Sequence, residues 1–177
     1  MEGKSTFTYA RERLELELRG IKENPPTHIS FGPRSDDDVF NCQGIIMGPI
    51  GTPFEGGIFL LSIQFPSDYP FSPPEVKYLT KIYHPNVNED GIIDINIGEQ
   101  WTPAWTTEAL LLSIWSMLME PILGHTENEI SDLYLNHYQR YSAIAREWTQ
   151  KYAMSGFVSI SPGDQSLHLE VARLSIE

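Results

Sequence analysis

Apolar residues at Phe7, Ala10, Leu14, Leu18 and Ile21 recur at steps of three and four, the pattern of one face of an amphipathic helix. Asn24-Pro25-Pro26 ends that helix, because proline lacks an N–H and disfavours helical backbone in the residue before it. Residues 39–47 (VFNCQGIIM) and 58–65 (IFLLSIQF) read as strands, joined by the turn cluster GPIGTPFEGG at 48–57. Pro66, Pro70, Pro73 and Pro74 punctuate an extended crossing that cannot be a helix interior, and residues 75–80 read as a third strand. The pattern then turns helical. Thr106 or Thr107 caps a helix that runs to about Met119, with Leu110, Leu111, Ile114, Trp115 and Leu118 on its buried face. A short helix over 128–136 precedes a longer one over 138–152, whose inward residues are Tyr141, Ile144, Ala145 and Trp148. A helix, a strand meander and then helices make an α+β domain over residues 1–154. Residues 155–177 hold a Ser-Pro-Gly break and weak alternation at Leu167, Leu169 and Val171. The expectation there is a flexible extension, the alternative a short added element.

Composition narrows the function. A chain of 177 residues suits one domain that needs no metal or disulfide staple. Its net charge of -12 argues against nucleic acid, since phosphate binding needs clustered Lys and Arg. The charge is uneven: residues 1–24 balance to zero, whereas residues 81–154 sum to -6. A basic partner surface would fit that half, and so would a merely soluble, self-repelling exterior. The single cysteine, Cys42, excludes an internal disulfide and fits a reducing compartment. No run of about 18 apolar residues marks a membrane span. Residues 1–5 lack the apolar stretch of a secretory signal, so the expected location is cytoplasmic or nuclear. His28, His84, His125, His137 and His168 are scattered without metal-ligand spacing, so no metal or cofactor is expected.

The segment Tyr83-His84-Pro85-Asn86-Val87-Asn88 is more specific. It follows Tyr69-Pro70-Phe71-x-Pro73-Pro74 and precedes Trp101-x-Pro103-Ala104. Together with the ending Ile144-Ala-Arg-Glu-Trp-Thr-Gln-Lys-Tyr-Ala-Met154, these motifs resemble the ubiquitin-conjugating enzymes, most closely their broad-specificity D class. The resemblance runs from about residue 8 to Met154 in the correct order. It implies the family fold: an N-terminal helix, a four-stranded antiparallel meander sheet and C-terminal helices. It also implies transthiolation, in which a cysteine receives the ubiquitin C-terminus as a thioester and a lysine amine then attacks it. The family cysteine lies in a stretch like Gly-x-Ile-Cys-Leu-Asp, a fixed distance after His-Pro-Asn. Here that stretch is Gly91-Ile92-Ile93-Asp94-Ile95-Asn96, so Asp94 stands at the cysteine position. A carboxylate is a poor nucleophile, and its adduct would be a mixed anhydride, too prone to hydrolysis to carry ubiquitin. Cys42 lies in a strand pattern far along the chain and reads as a small buried hydrophobe.

The rest of the implied site has drifted as well. Asn86 matches the asparagine that stabilises the oxyanion of the attacked thioester. With no thioester to serve, the favoured reading is that it holds its own loop. Asn96 replaces an aspartate, and the loops at 98–100 and 122–128 each read one residue short. In the second loop Gly124, His125 or Thr126 falls where the family carries an aspartate that orients the attacking lysine. No catalytic residue is therefore expected, and His84, Asn86 and Asn96 are vestiges. On the first helix Arg13 keeps a docking cation, but Glu12 and Leu16 replace two lysines, which weakens docking on the activating enzyme. Phe71, Pro103 and Ala104 match positions that contact RING and U-box ligases. Ser30 matches the position at which D-class members bind a second ubiquitin on the opposite sheet face. The expected function is a catalytically inactive variant that binds a ligase, an active conjugating enzyme or ubiquitin. The alternatives are an active enzyme by an unrecognised route and a degenerate copy.

Overall fold

Helix α1 (Thr6–Glu23) forms where the apolar period predicts it, and Asn24 closes it by donating to the Gly20 carbonyl. In this computed structural model, which describes residues 5–124 and 128–154, α1 buries Ala10, Leu14 and Ile21 and half-buries Leu18. Phe7 departs from the predicted face. It is exposed in the first turn and stacks on Phe40, with ring centroids 4.9 Å apart.

Four strands follow: β1 (Ile29–Ser35), β2 (Asp38–Met47), β3 (Ile58–Gln64) and β4 (Glu75–Tyr78). They pair antiparallel in sequence order, the meander that the family resemblance implied. β1 is absent from the hydrophobic pattern because Gly32-Pro33 reads as a turn. It lies at the sheet edge, where the missing proline N–H need not cost a ladder bond. The predicted third strand ends at Tyr78 rather than Thr80, because the Thr80 hydroxyl accepts the Leu60 N–H and ends the regular pairing.

The register sets two faces. Ile29, Ile46 and Phe59 align in one row, and Phe31, Gly44, Leu61 and Tyr78 in the next, all towards the core. Ser30, Ile45 and Leu60 align on the opposite face, where Ile45 and Leu60 form a small cluster of their own with Ile58.

Beyond the sheet, α2 (Ile97–Gln100) is one short turn that four residues could not announce by periodicity. α3 (Thr107–Met119) is capped by Thr106, whose hydroxyl accepts the Ala109 N–H at 3.1 Å. It buries Leu110, Leu111, Ile114 and Leu118 as expected, and Met117 in addition. Trp115 is half-buried and donates its indole N–H to the Met47 carbonyl. α4 (Glu129–Asn136) starts at a reciprocal Asn128–Ser131 cap. α5 (Tyr138–Trp148) runs into a π-helical turn over Thr149–Ala153, where the Thr149 hydroxyl donates to the Ala145 carbonyl. Tyr141 and Ala145 are buried, Ile144 and Trp148 half-buried. The expected extension over 155–177 lies outside the described residues.

Candidate functional site

The His-Pro-Asn segment enters the core directly after β4. His84 is fully buried. Its Nδ1 accepts the Asn86 N–H at 3.0 Å, so Nε2 carries the proton and donates to the Met117 carbonyl at 3.0 Å. Burial pulls its pKa down to about 4, which keeps the ring neutral. His84 thus ties its loop to the end of α3 and has no opening to a substrate. Asn86 is also buried. Its side-chain amide donates to the Asp94 carbonyl at 3.1 Å and the Ile122 carbonyl at 2.6 Å, and its oxygen accepts the Ile122 N–H at 2.9 Å. Both amide protons are committed to main-chain oxygens, which joins three separate segments.

A tight turn delivers Asp94 to this assembly. The Asn88 side-chain oxygen accepts the N–H groups of Asp90 and Ile92. Gly91 adopts φ +78°, and a Cβ there would stand 2.1 Å from the Tyr78 carbonyl oxygen. The chain returns against Val87 through Ile93, and Asp94 donates its N–H to the Asn86 carbonyl at 2.8 Å. The Asp94 side chain is exposed at the edge of a groove of about 350 Å³, lined also by Asn96, Gln100, Trp105, Ser113 and Ser116. Asn96 has a left-handed backbone (φ 50°), a conformation that asparagine tolerates better than most residues, and it leads into α2. Gly124 is exposed and offers no side chain to the groove, whereas His125 and Thr126 lie outside the described residues.

Cys42 is remote from this chemistry by environment. It sits on the core face of β2, 1% exposed, with its thiol donating to the Val39 carbonyl at 3.4 Å. Burial pushes its pKa up to about 12, so the thiolate is suppressed.

A second group of predicted residues gathers around the start of α1 and the loop before α3. Phe71 is 61% exposed and stacks against Tyr9, with centroids 6.0 Å apart. Pro103 and Ala104 are exposed in the loop between α2 and α3. Arg13 lies among them but is engaged internally. Its Nε donates to Glu17 Oε1 at 2.6 Å, and its terminal nitrogens donate to the carbonyls of Pro103 at 3.3 Å and Trp105 at 2.8 Å. Glu17 also accepts the Tyr69 hydroxyl at 2.8 Å and the Thr107 N–H at 2.8 Å. The sequence did not flag Glu17, because an Arg and a Glu four residues apart on a helix read as an ordinary surface pair. Ser30 lies away from both groups, half-buried beside Ile45 on the far sheet face.

Among the described residues no group of three or more His, Cys, Asp or Glu side chains is placed to hold a metal ion. No described helix is long and apolar enough to cross a membrane. The family model described as ubiquitin-conjugating enzyme matches residues 13–149.

Proposed function

Because this chain belongs to the ubiquitin-conjugating enzyme family, we propose that it is a non-catalytic member, one that docks on ubiquitin-pathway partners without carrying ubiquitin. The observation that carries this reading is Asp94, a carboxylate at the edge of the groove where the family places its nucleophilic thiol. A thioester needs a sulfur nucleophile; a carboxylate is a poorer nucleophile, and the mixed anhydride it would form hydrolyses too readily to carry ubiquitin. Two further features support it. The Asn86 amide protons are already held by backbone carbonyls, so none is free for an oxyanion. Cys42 is enclosed in the sheet and cannot stand in.

The partner reading rests on the exposed ring of Phe71 beside the Pro103-Ala104 loop, an aromatic anchor with an apolar flank suited to a RING or U-box domain. Ser30, which pairs with Ile45, is where this reading puts a non-covalently bound ubiquitin on the far sheet face. A protein that occupies a ligase without delivering ubiquitin would act by competition or as an allosteric helper, in the cytosol or the nucleus.

The test has two arms. The protein is mixed with activating enzyme, ATP and ubiquitin, alongside Asp94→Cys, and both are run on a non-reducing gel. Wild type is expected to stay uncharged while Asp94→Cys gains a reducible adduct; a charged wild type would refute the loss of catalysis. Calorimetry against RING and U-box domains is expected to find a dissociation constant of about micromolar with at least one of them. Phe71→Ala should weaken that binding about tenfold or more. Silence across the whole panel would end the ligase reading.

A further inference from the structure

We propose that Arg13 and Glu17 are positioning residues, which lock the three parts of the docking surface into one frame and do not themselves touch the partner. The proposal rests on the docking reading above and assigns Arg13 a different part in it from the direct ligase contact that the family resemblance implies.

The surface comes from three places in the chain: α1 with Tyr9, the proline crossing with Phe71, and the loop with Pro103 and Ala104. None of them is fixed by sheet or helix pairing to the others. Arg13 supplies that link. One guanidinium spans from Glu17 to the main-chain oxygens of Pro103 and Trp105, so the loop that presents Ala104 is held at both ends from α1. Glu17 completes the frame. With 9% of its side chain exposed, it takes donors from Arg13, from Tyr69 on the crossing and from the first N–H of α3 at Thr107. Trp101 closes the circuit by donating its indole N–H to the Pro70 carbonyl at 2.7 Å, one residue before Phe71. Every member is a fixed donor–acceptor pair, so displacement of one part is felt by the others.

The geometry also separates this role from a direct charge contact. A docking cation keeps its head group in solvent and attracts its partner over a distance that salt screens. The Arg13 side chain is only 23% exposed, and all three of its nitrogens donate to acceptors of its own chain, the Glu17 carboxylate and the carbonyls of Pro103 and Trp105. A lysine would keep the charge but lacks the planar fork that serves a carboxylate and two carbonyls together.

The test uses the full chain with Arg13→Lys, Arg13→Met and Glu17→Gln, each first shown to melt cooperatively. Amide exchange in the free protein over residues 101–107 is expected to quicken about tenfold in all three, with little change in the β2–β3 pairing. Binding to a RING domain should weaken about tenfold in Arg13→Lys and Arg13→Met alike, while the salt dependence of binding keeps its slope. If Arg13→Lys binds normally and Arg13→Met flattens the salt dependence, Arg13 is a direct contact and the proposal is overturned. Unchanged exchange over 101–107 overturns it as well. If wild type binds no RING domain, the docking reading fails by itself, and the exchange result still decides whether the frame exists.

Discussion

His84 and Asn86 carry the most recognisable motif in the chain, yet each spends its polar atoms on main-chain partners. The motif is readable as letters. The use of its side chains is not, because hydrogen bonds to Met117 and Ile122 join segments over thirty residues apart. The buried ring has a measurable signature. Its folded pKa, near 4, lies below the ordinary histidine value of 6.5. Between those values the unfolded chain binds a proton that the folded chain refuses, so unfolding takes up protons and acid favours it. The His84 contribution is therefore whole above about pH 6.5 and shrinks as pH falls towards 4, by up to about 3 kcal/mol. Urea midpoints across this window should drop with acid, and His84→Gln should flatten the drop. An equal slope in the variant would show that other groups cause it.

At the scale of elements, the helices were legible and the connections were not. α1, α3 and α5 each bury one periodic stripe, α4 half-buries one at Ile130, Leu133 and Tyr134, and a stripe shows in the order of residues. β1 did not show, because an edge strand can hold Gly32-Pro33 that a pattern reader takes for a turn. The turn before Asp94 is the sharper case. Gly91 was visible only as part of a family stretch, whereas its physical demand is a left-handed backbone pressed on the Tyr78 carbonyl. Gly91→Ala is expected to cost about 2–4 kcal/mol. The control Gly98→Ala has nothing within 4 Å of the added methyl and should stay within about 0.5 kcal/mol. Chemical denaturation compares them directly. If the two variants unfold alike, the close approach at Tyr78 relaxes without cost.

For the whole molecule, family and architecture were open to sequence reading because four motifs fall in order along one chain. The frame of Arg13 and Glu17 was not, since it depends on a loop ninety residues away folding back onto α1. The placement of the one sulfhydryl has a wider consequence. Enzymes that work through an accessible thiolate are silenced by peroxide and by electrophiles, since the group that reacts with substrate also reacts with the insult. This chain carries its single thiol in the core, on the buried face of β2. Native protein treated with iodoacetamide is expected to gain no alkyl group at Cys42 until urea opens the fold, and rapid native labelling would contradict that. On the proposed docking reading, a protein built this way would keep its binding surface through an oxidative insult that silences an exposed thiolate, and its weight in competition for a shared ligase would rise at that moment.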